Sequence, residues 1–431
     1  ILKNNKKKIN LIIFINKIFN NILSLYNFFL LKKKIIDKKN IFFSRKVYLQ
    51  KSIKDNRYYD RLFDFVLQNK IINNNSQKVY LNECYIKKNL AFKAKSINTF
   101  LNFFLNPKVH ISNDVKNNIF KIANEYKLDR VKIFEKFNHA TINFFNWYNF
   151  GLKLFNGNKS LKRLYFGCWY SPDAMGLIAA AKKKKILTFD MQHGFQGKYQ
   201  GMYTNFVGIE KSFSYELLPN FFYCWNKRTK ANILTSSNNR KHNLPIVGGY
   251  NWVDFYVKKV AKSESFKTKK KIFLFTMQPR TSKNNKIIPS FIKKYLNSVS
   301  FKNNLFIFRS HPNDIETKNL LHEFVNNHKK KEQIEIDNGE YNILDSLNRC
   351  THHLTAFSSS AIEANYLKKN SAVFGEDSKL IFGNYIKKNS IYWLNGEYSN
   401  FVKWVNKKNT KIRFLHTRDI YEKPNLRKHF Y

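Results

Sequence analysis

A regular alternation of short apolar runs with helix-like segments limits the fold of this chain more than any other feature of its sequence. The alternation begins at the apolar run 163–169, which leads through a helical segment at 173–184 to a second run at 186–191. It restarts in the second half of the chain with four further apolar runs, at 271–277, 305–308, 352–355 and 371–374. Strands that alternate with helices predict an α/β fold with parallel, doubly wound sheets.

The domain boundaries follow from this alternation. The stretch 258–271 is strongly basic and has no hydrophobic periodicity, so it is the best candidate for a linker. We therefore expect one Rossmann-like domain at residues 156–260 and a second at residues 270–431, with a cleft between them. Residues 1–155 contain few glycines and no recognisable motif or repeat, and we expect them to form a mainly helical N-terminal region.

The basic composition of the chain allows two interpretations. The 431 residues carry a formal net charge of +48, which by itself is typical of a nucleic-acid-binding protein. However, the lysines are spread along the whole chain and occur together with many Asn, Ile and Phe residues, a combination that an AT-rich coding sequence produces without selection for a ligand. The sequence has no recognised nucleic-acid motif, so we expect the charge to favour anionic substrates and acidic membrane surfaces.

The N-terminal segment 1–36 and the cysteines bear on the location of the protein. The segment 18–31 has no charged residue, lies between lysine clusters, and is too short to span a bilayer. It is either a helix at a membrane interface or a helix packed on its own domain. The four cysteines lie far apart without a C-x-x-C spacing, which is typical of a reduced protein. We expect a cytoplasmic protein, peripheral on the inner membrane in the first case.

Polar residues follow one of the predicted strands directly. Gln192, His193 and Gly194 come after the run 186–191, and the glycine-containing loop beyond them includes Tyr199. In open α/β sheets, ligands bind beyond the carboxyl ends of the strands, so these residues are candidates for the cleft. A histidine after a strand is more often structural, and both interpretations stay open when this segment is taken alone.

The second half of the chain repeats this arrangement at three strand ends. Gln278 follows the first strand, His311 and Pro312 follow the second, and Ser358 with Ser359 follow the third, at the start of a helix that contains Glu363. Hydroxyl and free NH groups at such a helix start suit a phosphate, and a carboxylate one turn later suits ribose hydroxyls. Each feature alone is also compatible with an N-cap or with a favourable helix dipole. The occurrence of all these features in this order within one Rossmann-like half is much less common than any one of them alone.

The segments Phe-Arg-Ser-His-Pro at 308–312 and Thr-Ala-Phe-Ser-Ser-Ser-Ala-Ile-Glu-Ala at 355–364 resemble the His-Pro and Ser-Ser motifs of bacterial surface-polysaccharide glycosyltransferases. This group includes sialyltransferases, Kdo transferases of capsule synthesis and the related glycerol-phosphate transferases of teichoic acid synthesis. Asp-Met-Gln-His-Gly at 190–194 is similar to the Gln-His-Gly motif of capsule synthesis proteins. The likeness covers roughly residues 160–385 and implies a GT-B fold with the nucleotide held by the C-terminal domain.

The resemblance implies a role for each matching residue on the donor side. His311, with Pro312 fixing its turn, would contact the donor phosphate; Ser358 and Ser359 would bind that phosphate or the ribose; Glu363 would hold the ribose. Gln278 is a weaker donor candidate. The donor would be a nucleotide sugar, CMP-linked by preference, and the acceptor a surface polysaccharide or a lipid-linked glycan. No Asp-x-Asp pattern is present, so neither a metal nor a further cofactor is expected.

The acceptor side is predicted with less detail. Gln192, His193, Gly194 and Tyr199 would face the cleft from the first domain. The general base is His193 by preference and Asp173 next, with Asp190 also suitably located at a strand end.

Three alternative functions remain: a CDP-glycerol- or CDP-ribitol-type polyol-phosphate transferase, an inactive scaffold of the same fold, and a basic nucleic-acid-binding protein. The last predicts a steep loss of affinity with salt.

Overall fold

The computed structural model describes residues 25–82, 89–97, 109–196, 201–203, 217–235, 243–259, 270–278, 287–311, 314–407, 414 and 426–431. Within them the chain forms two parallel sheets and one short antiparallel pair. The predicted α/β architecture with two parallel sheets is therefore confirmed.

The first sheet has seven strands in the order β5-β4-β1-β6-β7-β8-β9, and all of its pairs are parallel. Its strands are β1 (Asn40–Ser44), β4 (Ser76–Leu81), β5 (Ala94–Ile97), β6 (Arg163–Phe166), β7 (Leu187–Met191), β8 (Phe221–Cys224) and β9 (Leu244–Val247). The antiparallel pair of β2 (Leu49–Lys51) and β3 (Tyr58–Asp60) is inserted after β1. β7 is the run that precedes Gln192 and His193, so the carboxyl edge of this sheet carries the first predicted motif.

Helices flank the first sheet and join its strands. They are α1 (25–35), α2 (Asp64–Leu67), α3 (Lys70–Asn74), α4 (Asn113–Glu125), α5 (Arg130–Phe155), α6 (Pro172–Lys183), α7 (Lys227–Thr235) and α8 (Trp252–Lys259). α5 and α6 approach closely because glycines face the contact: a Cβ added at Gly176 would lie 2.4 Å from the carbonyl oxygen of Phe144. The buried face of this helix pair fixes α6, whose first turn holds Asp173.

The second sheet has six parallel strands in the order β12-β11-β10-β13-β14-β15. They are β10 (Ile272–Thr276), β11 (Leu305–Arg309), β12 (Ile334–Asp337), β13 (His352–Thr355), β14 (Asn370–Phe374) and β15 (Tyr392–Leu394). The helices around them are α9 (Ser290–Asn297), α10 (Ile315–Asn326), α11 (Ile343–Arg349), α12 (Ser360–Tyr366), α13 (Glu376–Lys387) and α14 (Tyr398–Val405). Each of the four strands predicted here from apolar runs is present.

The boundary proposed at residue 156 has to be corrected. Helices do predominate in the described part of residues 1–155, but β1, β4 and β5 from this region belong to the same sheet as β6–β9. β1 pairs directly with β6 through Phe42 and Tyr165, so the first domain includes this region. β1 is a short apolar run buried on both faces, whereas β4 and β5 include Lys and Ser residues, and none of the three shows the clear alternation that distinguishes a strand from a helix segment.

The C-terminal end also departs from the expected domain 270–431. A last helix, α15 (Leu426–Phe430), packs on the first sheet rather than the second. The ring of Phe430 stacks on Tyr165 at 4.9 Å between centroids, and the side-chain amide of Asn40 donates to the carbonyl oxygen of Phe430 at 2.9 Å. The Tyr165 hydroxyl donates to the carbonyl oxygen of His429. The chain therefore crosses back to the first domain before it ends.

The described part of the N-terminal segment favours one of its two interpretations. Phe28, Leu31 and Ile35 of α1 are buried in the core of the first domain, and Phe28 contacts Phe150 at 5.4 Å between ring centroids. Residues 25–35 therefore pack on their own domain, while residues 1–24 and the linker residues 260–269 lie outside the described residues. No helix in the described ranges is long and apolar enough to cross a bilayer.

Candidate active site

A cleft of about 730 Å³ lies between the carboxyl edges of the two sheets. Residues of the first domain that line it are Arg61, His193, Gly194, Phe195, Arg228 and Asn232. Residues of the second domain that line it are Gln278, His311, Phe357, Ser358, Ser359, Lys379, Leu380, Ile381, Gly383, Asn384 and Lys387. The structure thus brings together in one cavity residues 193–194, 278, 311 and 358–359, which follow four different strands.

The Lys, Arg, Asp and Glu side chains in the described lining of the cleft are all cationic. Its lining includes the cations of Arg61, Arg228, Lys379 and Lys387, and among the described lining residues there is no Asp or Glu. A concave site lined by one sign of charge raises the local concentration of oppositely charged ligands. The electrostatics of the cleft therefore suit an anionic ligand of small-molecule size.

His193 lies at the cleft wall, directly after β7. Its Nε2 atom is 3.5 Å from the Tyr170 hydroxyl, and its ring centroid is 5.9 Å from that of Tyr48. Burial, with further contributions from the charges of Arg61 and Arg45, lowers the pKa of His193 to about 4. The imidazole is therefore neutral at neutral pH and can accept a proton.

The neighbours of His193 in the motif have separate roles. Gln192 is buried behind the turn: its side-chain amide donates to the Gly194 carbonyl at 2.8 Å, and its Oε1 atom accepts from the Trp225 backbone NH at 2.8 Å. We expected Gln192 to face the cleft, but both ends of its side chain instead hold the turn that presents His193. Gly194 does line the cleft. Tyr199 lies outside the described residues.

The two aspartates considered as general bases both lie in internal networks. Asp173 is buried, forms an ion pair with Arg45 at 2.5 Å, and accepts a hydrogen bond from Asn82 at 2.7 Å. Asp190 is buried in β7, where it accepts from the backbone NH of Trp169 at 2.9 Å and from the Tyr203 hydroxyl at 2.7 Å. Neither belongs to the described lining of the cleft, which leaves His193 as the candidate of the three that does.

His311 and Gln278 lie opposite, at the ends of β11 and β10, and both line the cleft. Burial lowers the pKa of His311, the Asp314 charge opposes this effect, and the Arg61 charge adds to it. Pro312, which was expected to fix this turn, lies outside the described residues.

Ser358 and Ser359 precede α12 and also line the cleft. A buried chain of hydrogen bonds connects their turn to the centre of the sheet. Ser360 contacts the Thr276 hydroxyl at 2.9 Å, Thr276 contacts His353 Nε2 at 2.9 Å, and His353 Nδ1 contacts the Ser371 hydroxyl at 3.1 Å. Burial lowers the pKa of His353 to about 3, so this imidazole stays neutral and fixes the serine turn from behind.

Glu363 lies on α12, one turn after these serines, and is buried. It is not among the described residues that line the cleft. Burial raises its pKa, and the positive charges of Arg61 and Arg309 oppose that rise. The geometry therefore places Glu363 behind the serine turn and within the electrostatic reach of the cleft cations.

The four cations of the lining were not predicted from the sequence. Arg61 is in the turn after β3, Arg228 is on α7, and Lys379 and Lys387 are on α13. In a chain with 77 Lys and Arg residues, no local signal separates these four from the others. Among the described residues, no group of three His, Cys, Asp or Glu side chains is arranged to hold a metal ion.

No protein-family model and no curated protein sequence matches this chain. Solved structures do. UDP-GlcNAc 2-epimerase from Methanocaldococcus jannaschii, in complex with UDP-GlcNAc and UDP, matches with a TM-score of 0.52 and 12% identity over 88% of this chain and 96% of its own. The enzyme of that name from Neisseria meningitidis, bound to UDP-GlcNAc, matches with a TM-score of 0.51 and 11% identity over 89% and 94%.

The wall teichoic acid polymerase TagF is similar over 94% of this chain and 92% of its own, with a TM-score of 0.51 and 12% identity. A further TagF structure, soaked with CDPG, matches with a TM-score of 0.50 and 11% identity, over 97% of this chain and 91% of its own. At such identities the likeness establishes the fold. The chain has the GT-B fold, in which two Rossmann-like domains face each other across a cleft.

Proposed function

We propose that this protein is a glycosyltransferase that moves a sugar from a nucleotide donor to a growing surface polysaccharide or a lipid-linked glycan. The observation that carries the proposal is the composition of the cleft. It combines one histidine from each domain with the serine pair of the second domain, and four cations without a described carboxylate. The donor is CMP-linked by preference, because the His-Pro and Ser-Ser pattern resembles that of enzymes that use cytidine nucleotides.

In the proposed reaction the donor phosphate lies against His311, Ser358 and Ser359, which line one side of the cleft. Negative charge grows on this phosphate as the glycosidic bond breaks, and cations held in place before the reaction stabilise it. Arg61, Arg228, Lys379 and Lys387 supply that charge, so the proposal needs neither a metal ion nor a further cofactor. Glu363 is buried behind the serines and outside the described lining of the cleft, so we do not assign it the contact with the ribose that the sequence suggested.

His193 is the proposed general base on the acceptor side. It is neutral at neutral pH because burial lowers its pKa to about 4, so it can take the proton of an acceptor hydroxyl. A pKa this low makes a weak base in the empty cleft. The negative charge of a bound donor opposes the effect of Arg61 and raises the pKa of His193 toward the working pH, so donor binding would activate the base.

A polyol-phosphate transferase is the second candidate. Its support is the likeness of the chain to TagF, one structure of which was soaked with CDPG. The two reactions differ in the group that is transferred, and a cationic cleft of this size suits both donors.

A donor screen on the full chain tests the proposal. We expect a CMP-linked sugar to raise the melting temperature and to be turned over, while CDP-glycerol and UDP-GlcNAc have smaller effects. A larger effect of CDP-glycerol would favour the second candidate, and a larger effect of UDP-GlcNAc would contradict the cytidine assignment.

Histidine variants test the roles of the two domains. We expect His311→Ala to weaken donor binding and to lower kcat by about 10²–10³. His193→Ala should leave donor affinity nearly unchanged and lower kcat by about 10²–10⁴. His322→Ala, a change at an exposed histidine of α10, is the matched control. Normal turnover by His193→Ala would remove this residue from the mechanism, and loss of nucleotide affinity would assign it to the donor side.

A further inference from the structure

We propose that Arg61 is a ligand of the donor phosphate, provided by the first domain, so that one phosphate is bound by both domains at once. This inference rests on the proposed function only in that the anion is a nucleotide phosphate.

The surroundings of Arg61 leave its charge available to a ligand. The side chain lines the cleft, donates one hydrogen bond from an η nitrogen to the carbonyl oxygen of His193 at 3.2 Å, and lies over the Tyr48 ring at 5.6 Å from its centroid. Its Nε atom is buried and has no hydrogen-bond partner among the described residues. Among the described residues, no carboxylate forms an ion pair with its guanidinium.

The charge of Arg61 acts on groups of both domains. Burial is the main reason for the low pKa values of His193 and His311, and Arg61 lowers both further. It also opposes the rise that burial causes in the pKa of Glu363. Arg61, His311 and Ser358 line the same cleft, so the guanidinium faces the space in which a phosphate held by His311 and Ser358 would lie.

A buried charge network holds the turn that carries Arg61. The Lys78 ammonium pairs with Asp64 at 2.5 Å, and both side chains are almost completely buried. The second oxygen of Asp64 accepts from the backbone NH of Asp60 at 2.8 Å. The Asp60 carboxylate accepts from the backbone NH of Leu62 at 2.9 Å and from the Tyr80 hydroxyl at 3.1 Å. The backbone is therefore tied on both sides of residue 61.

This network explains how an arginine on a short turn can act as a precise ligand. Loss of any one of these contacts would leave a buried charge or polar group without its partner, which costs free energy, so the network opposes rearrangement of the turn. A guanidinium binds phosphate through two parallel N–H···O bonds, and this geometry requires a fixed approach. The η nitrogens of Arg61, one of which donates to the carbonyl oxygen of His193, are the donors that such a phosphate would use.

Binding measurements on the full chain test the inference. The variants are Arg61→Gln, which removes the charge, and Arg61→Lys, which keeps the charge and loses the paired donors. Arg57→Gln is the matched control, because Arg57 is exposed beside the same antiparallel pair and is bound to Asp55 at 2.9 Å. Each protein is titrated by calorimetry with CMP, UMP, cytidine, uridine and pyrophosphate, and urea unfolding checks that each variant is folded.

We expect Arg61→Gln to lower the affinity for the better-bound nucleotide by about 10- to 100-fold, because charge-assisted hydrogen bonds contribute about this much to binding. The affinity for the corresponding nucleoside should not change. The nucleotide affinity of Arg61→Lys should lie between that of Arg61→Gln and that of the unchanged protein, and Arg57→Gln should bind as tightly as the unchanged protein. Equal nucleotide affinity in Arg61→Gln and the unchanged protein would overturn the inference. So would an equal loss for nucleotide and nucleoside, which would indicate a structural role.

The outcomes for the inference and for the proposed function can be distinguished. If UMP binds better than CMP, the cytidine assignment fails, while the comparison of UMP with uridine in Arg61→Gln still decides the role of Arg61. If the unchanged protein binds neither nucleotide nor pyrophosphate at millimolar concentration, the cleft is not a phosphate site and the inference is wrong.

Discussion

Replacement of Asp190 by asparagine tests whether the carboxyl group before the Gln-His-Gly turn is neutral. Asp190 is almost completely buried, and its partners are the backbone NH of Trp169 and the Tyr203 hydroxyl, with no cation within ion-pair distance among the described residues. Burial raises its pKa to about 8, and these two hydrogen bonds oppose that rise without reversing it. At neutral pH the side chain is therefore a neutral acid, which an asparagine at this position would imitate in shape and charge.

The sign of the pH effect follows from the two states of the chain. In the unfolded chain the Asp190 carboxyl ionises near pH 4, so it is already charged at neutral pH. In the folded protein it keeps its proton until about pH 8. Between about pH 4 and pH 8 the folded state therefore holds a proton that the unfolded chain has lost, so stability falls as the pH rises through this window and levels off above pH 8. From pH 7 to pH 9 the expected loss of unfolding free energy is about 1.4 kcal/mol.

Urea unfolding at pH 7, 8 and 9 measures this loss in the wild-type chain and in Asp190→Asn. Between pH 7 and pH 9, the unfolding free energy of the wild-type chain should fall by about 1.4 kcal/mol more than that of Asp190→Asn. The buried histidines do not interfere, because burial lowers the pKa values of His193, His352 and His353 to about 4, 4 and 3. Equal pH dependence of the two proteins would refute the reasoning and show that Asp190 is ionised throughout.

Two further predictions concern the framework that positions the cleft. Gly176→Ala should destabilise the protein by about 1–3 kcal/mol, because the new Cβ overlaps the Phe144 carbonyl at 2.4 Å, whereas Gly383→Ala on α13 meets nothing within 4 Å and should be neutral or stabilising. Equal effects of the two changes in urea unfolding would contradict the close contact of α5 and α6. Phe430→Ala should cost about 3–5 kcal/mol, since this buried ring stacks on Tyr165 at 4.9 Å, while Tyr431→Phe at the exposed last residue should cost little. An unchanged melting temperature for Phe430→Ala would mean that α15 does not stabilise the first domain.

Much of the second domain could be predicted because its strands are apolar runs that end abruptly in polar residues. His311, Ser358 and Gln278 were placed at strand ends from the sequence, and parallel strands bring their carboxyl ends to one edge of the sheet. All three line the cleft in the structure. The same rule located His193 in the first domain. It did not locate the side chain of Gln192, whose orientation depends on Trp225, a residue more than thirty positions away.

The first sheet was only partly predictable. β6, α6 and β7 follow each other closely and form a recognisable unit, but β1 is separated from its partner β6 by more than a hundred residues. The intervening segment contains the antiparallel pair, two short helices and the long α4–α5 hairpin, and these conceal the alternation. The return of α15 to Tyr165 could not be inferred, because nothing in the sequence near Phe430 indicates which of two similar sheets it packs on.

Arg61 shows why a cationic cleft is harder to predict than a histidine motif. A histidine is rare in this chain and its position after a strand carries information, whereas Lys and Arg together account for 77 of 431 residues. What distinguishes Arg61 is the set of groups that hold its turn, namely Asp60, Asp64, Lys78 and Tyr80, which come from three separate elements. Breaking one member of a buried charge pair is costly, so these contacts oppose movement of the turn. In such a chain, the functional role of a basic residue is therefore indicated by two properties of the folded state. One is the set of contacts that hold its backbone in place, and the other is the absence of a described counter-ion.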